Sequence, residues 1–120
     1  MTTTSISQLD LVESTPASQL DPQAKQTKAA LKHCNTAWRR AYKAALKRTE
    51  GDDIEKAFAT GVAGEAFCFA MPLLSGYQGI RDFIACTANG MLIGAIPAKK
   101  GGQFLHAAEL ALAALNRESK

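Results

Sequence analysis

The sequence has few cysteines, few prolines and few β-branched residues. Its three cysteines, Cys34, Cys68 and Cys86, form no CxxC pair, which argues against a disulfide framework and a standard zinc knuckle. Val and Ile together contribute 8 residues against 22 alanines, and the four prolines leave two long proline-free stretches. This composition favours helices over a sheet. A chain of 120 residues has room for one compact domain.

Long hydrophobic runs and targeting signals are also missing. The longest uncharged run covers residues 83–98, sixteen residues against the roughly twenty that a membrane span needs. The first fifteen residues have neither the basic nor the apolar region of a secretory signal. We therefore expect a cytoplasmic protein with reduced thiols, no cofactor and no membrane contact. Residues 1–20 hold eight Ser or Thr and no Lys or Arg, so we expect a disordered leader.

Residues 21–120 carry the periodicity of a single all-α domain of four helices. Asp21 and Pro22 are typical of a helix start, and Ser75 with Gln78 fits the capping box. The third helix is apolar nearly all round, which predicts that it lies in the centre of the bundle. The predicted helices cover approximately residues 22–50, 53–70, 76–96 and 103–117, with 98–102 as a flexible link.

The second helix is expected to face the core with one apolar stripe. The stripe consists of Ile54, Ala57, Phe58, Val62 and Phe69. Glu65 lies at its centre, where burial would raise the pKa of a carboxyl group and suit it to act as a general base. The structural alternatives are an ion pair with Arg81 or a stripe that opens to solvent at this turn.

Acidic residues are absent from the first helix. The segment 22–48 contains eight Lys or Arg residues and is +8, while the rest of the chain sums to −5, which together give the net charge of +3. Plotted at 100° per residue, seven of the eight fall within an arc of about 120°. These seven are the predicted partner-binding residues: Lys25, Lys28, Lys32, Arg39, Arg40, Lys43 and Lys47.

A stripe of one sign favours an anionic partner, because like charges three or four positions apart repel within a helix. The alternatives are a solvated helix face, or acidic residues of the same fold or of a second copy. No catalytic set accompanies the stripe. His33 and Cys34 are adjacent and diverge by about 100° on a helix, and Cys34, Cys68, Cys86 and His106 contain no local ligand pair. The sequence therefore predicts a protein that is not an enzyme.

Two segments carry a resemblance to a known group of proteins. AMPLLSGYQGIRDFIACTANGMLIGAI, residues 70–96, and AWRRAYKAAL, residues 37–46, are similar to small uncharacterised proteins of bacterial plasmids, prophages and integrative elements. The resemblance implies a bacterial or phage cytoplasmic setting and an accessory role, such as DNA maintenance or inhibition of a host defence complex. It implies no catalytic residues.

These observations lead to two hypotheses. In the first, the basic helix of a non-catalytic protein binds nucleic acid through its backbone phosphates. In the second, the chain is a protein-interaction module or an inhibitor that binds an acidic or nucleic-acid-binding partner. A homodimer is also expected, since four helices in about 100 residues bury a modest core and both the third and fourth helices are rich in apolar residues.

Overall fold

Four α-helices make up the computed structural model, which describes residues 21–49 and 53–119. The helices are α1 (Pro22–Thr49), α2 (Asp53–Phe69), α3 (Gly76–Leu92) and α4 (Ala98–Glu118). No strand occurs in the described ranges, so the predicted all-α class is confirmed. The predicted leader, residues 1–20, and the predicted end of the first helix at residue 50 lie outside the described residues.

The helices pack in the order α2, α1, α3, α4. Helix α1 contacts both α2 and α3, and α3 contacts both α1 and α4. The apolar circumference of α3 thus has neighbours on two sides, as predicted. Where they meet, the buried core consists of Cys34, Phe67, Cys86, Ala95 and Ile96. None of the helices in the described part of the chain is long and apolar enough to cross a membrane.

The start of α1 follows its sequence signal. The side-chain Oδ1 of Asp21 accepts a hydrogen bond from the Ala24 amide at 2.7 Å, and the Asp21 carbonyl accepts one from the Lys25 amide at 3.0 Å. Pro22 takes the first helical position, where its missing N–H leaves no partner unsatisfied. The predicted capping box at α3 is wrong: Ser75 makes no side-chain cap bond, and the Gln78 amide reaches across to α1 instead.

Helix α3 ends at Leu92 and not at residue 96. Gly94 takes a φ of 80°, a left-handed conformation that glycine adopts without steric cost, and the chain reverses there. The amides of Ala95 and Ile96 then both bond to the Gly90 carbonyl, at 2.8 and 3.0 Å. Residues 95 and 96 are buried by this turn, which explains why an apolar sequence pattern continues past the helix end.

Helix α4 begins at Ala98, so the predicted flexible link at residues 98–102 is wrong. The Gly101 amide bonds to the Pro97 carbonyl at 2.8 Å, and Gly101 is buried. A side chain at Gly101 would overlap Met91 of α3. The glycine therefore permits a close crossing of α3 and α4 within a regular helix.

Candidate nucleic-acid interface

The predicted partner-binding residues all lie on the exposed side of α1. Each of the seven side chains is solvent-exposed, and so is the eighth cation, Arg48. We call these seven residues the basic face. From Lys25 to Lys47 it extends over about 33 Å at 1.5 Å per residue. A surface of that length can contact several successive phosphates of a duplex.

Six of the seven cations of the basic face have no acidic partner among the described side chains. Among the side chains that the structure describes, no carboxylate forms an ion pair with any of Lys25, Lys32, Arg39, Arg40, Lys43 or Lys47. One alternative was that acidic residues of the same fold pair with the cations. The described side chains give no support for it at these six positions. Nδ1 of His106 lies 3.5 Å from Oε1 of Glu109, and this contact is within α4.

The charge of the helix C-terminus accounts for only part of the basic face. Lys47 and Arg48 lie in the last turn of α1, where cations interact favourably with the helix dipole. Lys25, Lys32, Arg39 and the remaining cations lie outside that turn. Opposite charges three or four positions apart would stabilise this exposed helix face more than like charges do. Helix stability therefore does not explain why these residues are all cationic.

A polar cluster fixes the orientation of α1 against α3. Asp82 of α3 is 2% exposed and accepts hydrogen bonds from the hydroxyl of Thr27 and from Nε2 of Gln78, the latter at 2.8 Å. The side-chain Nε2 of Gln78 also donates to the backbone carbonyl of Gln23 at 3.2 Å. Nη1 of Arg81 donates to the side-chain Oε1 of Gln23 at 2.9 Å. One turn of α3 thus holds the first turns of α1.

Further along α1, two more contacts with α3 keep the same relative rotation of the two helices. Nδ2 of Asn89 donates to Oδ1 of Asn35 at 3.1 Å. Cys34 and Cys86 are both fully buried. The Cys86 thiol donates a hydrogen bond to the Cys34 sulfur, which lowers the pKa of Cys34 and raises the pKa of Cys86. Burial raises the pKa of Cys86 further. With this side of α1 against α3, the basic face is directed outward.

The aromatic residues of α1 form no platform for bases. The rings of Trp38 and Tyr42 stack on each other, with centroids 4.9 Å apart and planes 9° from parallel. Trp38 packs against the core. Because the two rings stack on each other and lie away from the centre of the basic face, contact with backbone phosphates fits this surface better than base stacking does.

The other candidate residues are not brought together into a site. Glu65 is exposed on α2, and Arg81 bonds to Gln23 and not to Glu65, so the stripe opens to solvent at this turn. His106 is paired with Glu109 on the exposed side of α4. Within the described ranges no three or more His, Cys, Asp or Glu side chains are grouped so that they could hold a metal ion.

Sequence reasoning missed the residues that orient the basic face. Asp82 interrupts an otherwise apolar helix, and neither Thr27 nor Gln23 belongs to a recognisable motif. A signal was present: a carboxylate flanked by Ile80, Phe83 and Ile84 must find hydrogen bonds when the helix is buried.

No protein-family model, curated protein or solved structure matches this chain.

Proposed function

We propose that this chain is a non-catalytic nucleic-acid-binding protein whose basic face contacts the phosphate backbone. The observation that carries the proposal is that the seven cations are exposed on one side of α1. Six of them have no acidic partner among the described side chains: Lys25, Lys32, Arg39, Arg40, Lys43 and Lys47. Phosphate contacts of this kind position a protein on a duplex and read little sequence. We therefore expect binding of weak sequence specificity.

The proposal includes a setting and an assembly state. The resemblance of residues 37–46 and 70–96 to proteins of plasmids, prophages and integrative elements supports a role in a bacterial mobile element, in the cytoplasm of the host. A homodimer would present two basic faces to the same nucleic acid. Two linked contacts bind more tightly than either alone, because the second forms at a high effective concentration.

Fluorescence anisotropy with a labelled duplex across a salt series tests the proposal. Each phosphate neutralised contributes a slope of about −0.9 to the plot of log K against log salt, so five to seven contacts predict a slope of about −4.5 to −6. Absence of binding at low salt, or an affinity that salt does not change, would exclude the proposed function.

The same cations suit a second candidate, an interaction with an acidic protein surface that would make the chain an inhibitor. The experiment for it is a pull-down from the host cell treated with nuclease, with Lys32→Glu, Arg39→Glu and Lys43→Glu combined in one variant. Capture of a protein that survives nuclease and is lost in this variant favours the second candidate. Capture that depends on nucleic acid favours the first.

A further inference from the structure

Helix α2 faces the core with a different side from the one that its large apolar residues predict. Its buried residues are Ala59, Ala63 and Phe67, each 0% exposed. The predicted core stripe is exposed instead: Phe58 is 62% and Phe69 is 89% exposed, and Ala57 is exposed as well. The side chain of Ile54 is not among those described. The predicted core face of α2 is therefore wrong.

The reason lies in the close fit between α2 and its neighbours. Gly64 lies against the turn after α3, where a Cβ atom would be 2.6 Å from the carbonyl oxygen of Ala95. Alanines and a glycine let α1 and this turn approach α2, which the larger side chains of Phe58 and Val62 would prevent. Phe58 and Phe69 are left on the outside, whereas Phe67 is buried in the core.

These residues form a continuous surface, which we call the outer stripe: Phe58, Val62, Glu65 and Phe69. At 100° per residue they fall within an arc of about 60°. With an area of about 200 Å² for each ring, the exposed parts of the two phenylalanines amount to about 300 Å². The largest apolar patches on soluble proteins have a comparable area, and they are often functional.

Gly61 gives a separate indication that another helix approaches this side of α2. A glycine inside a helix costs about 1 kcal/mol relative to alanine, and close packing is the usual compensation. Gly64 has such a neighbour, but a Cβ atom at Gly61 would meet nothing within 4 Å. Gly61 lies one turn from both Phe58 and Glu65, at the edge of the outer stripe. Within the described residues nothing explains it, whereas a helix from another molecule would.

The charges around the outer stripe favour a second copy of the chain as the occupant. Glu65 lies in the stripe, and Lys100 of α4 lines the same open cavity of about 430 Å³ together with Cys68 and Phe69. The surface therefore carries one charge of each sign. In a two-fold dimer the same patch is used by both copies, so Lys100 of one copy can neutralise Glu65 of the other.

We infer that the outer stripe of α2 is a homodimer interface in which two α2 helices pack antiparallel, with Gly61 less than one turn from their crossing point. Phe58 and Phe69 lie about 16 Å apart along the helix axis, symmetrically about the point between Ala63 and Gly64. A two-fold axis through that point places Phe58 of each copy beside the cavity at Phe69 of the other. A standard interface buries about 800 Å² on each copy, whereas the two rings of the outer stripe supply only about 300 Å². Because this area is small, we expect the dimer to dissociate on dilution.

Sedimentation of the full chain over a wide concentration series, without nucleic acid, tests this inference. We expect the apparent mass to rise from 12.8 kDa towards twice that value. Phe58→Glu and Phe69→Glu should each abolish the increase. The matched control is Leu110→Glu on α4, because Leu110 is 59% exposed and lies outside the outer stripe. All three positions are exposed, so circular dichroism should show an unchanged helical content.

Gly61→Ala is a second test that does not depend on a buried charge. The added methyl group has open space in the single chain, so folding is retained. In the dimer it separates the two helices close to their crossing point, so the dimer should weaken at least several-fold. A mass of 12.8 kDa at every concentration would overturn the inference. So would a dimer that only Leu110→Glu disrupts, or one that Gly61→Ala leaves unchanged.

This inference deepens the homodimer part of the proposed function and rests on it. The two can fail separately, since sedimentation uses no nucleic acid and the duplex titration needs no dimer. A monomer that binds duplex would remove the interface and leave the basic face in place.

Discussion

Thr27 of α1 donates a hydrogen bond from its hydroxyl to the buried carboxylate of Asp82 on α3. No cation forms an ion pair with Asp82 among the described side chains, so its charge is stabilised by hydrogen bonds from Thr27 and Gln78. This hydrogen bond joins residues 55 positions apart in the sequence, on two different helices. Because the basic face occupies the opposite side of α1, the rotation that Asp82 fixes is also the rotation that exposes the cations.

Thr27→Val should destabilise the protein by about 1.5–3 kcal/mol, the contribution of a hydrogen bond to a charged group. Valine keeps the shape of threonine and removes the donor, which leaves Asp82 with Gln78 alone. Urea unfolding followed by circular dichroism measures the change. Thr60→Val is the matched control, because the Thr60 hydroxyl bonds only within its own helix, to the Lys56 carbonyl. An equal effect of the two substitutions would contradict the role given to Asp82.

Gly64→Ala should destabilise the fold by about 1–3 kcal/mol, since the new Cβ would lie 2.6 Å from the backbone oxygen of Ala95 and neither helix nor turn can move freely. Gly102→Ala is the control on α4. Its Cβ would meet nothing within 4 Å, and the gain in helix propensity should stabilise the protein by about 0.5–1 kcal/mol. Thermal unfolding of the two variants should therefore shift in opposite directions. A shift in the same direction would show that α2 does not approach this turn.

The three thiols should differ in their reaction with a maleimide. Cys34 and Cys86 are fully buried, whereas Cys68 is half-buried and lines the open cavity beside Phe69. Burial raises the pKa of Cys68, and the nearby Lys100 ammonium partly opposes this shift. We expect mass spectrometry to find Cys68 labelled first, at a rate that is below that of a free cysteine at pH 8 and increases with pH. Cys34 and Cys86 should react only as fast as the protein unfolds, and early labelling of either would contradict the packed core.

Sequence periodicity was a good guide where one property decided the structure. Asp21 followed by Pro22 correctly predicts the start of α1. The absence of acidic residues from residue 22 to residue 48 predicts the position of the basic face. Both signals are local. A cap needs one side chain and one turn, and a charged stripe needs only the helical repeat.

Sequence periodicity did not predict the structure where the packing of neighbouring helices determines which residues are buried. On α2, large apolar side chains predicted one face, but the fit against α1 selected Ala59, Ala63 and Gly64. At the end of α3, the apolar pattern ran past a glycine whose positive φ ends the helix. Such choices depend on the shape of a neighbouring element, which no periodicity within the helix itself encodes.

In the proposed function, the charge of α1 acts through its position and not through the total charge of the protein. Two triple variants, compared in the duplex titration, distinguish these two possibilities. One carries Lys32→Gln, Arg39→Gln and Lys43→Gln on the basic face. The other carries Lys56→Gln, Lys99→Gln and Arg117→Gln, three exposed cations of α2 and α4. Both change the net charge from +3 to 0, since each removes three positive charges.

We predict that the first variant loses affinity and that its salt slope falls in magnitude by about 3, as expected for three lost phosphate contacts. The second variant should retain the slope of the unmodified protein. If both variants lose affinity equally, binding follows net charge and the basic face is not an interface.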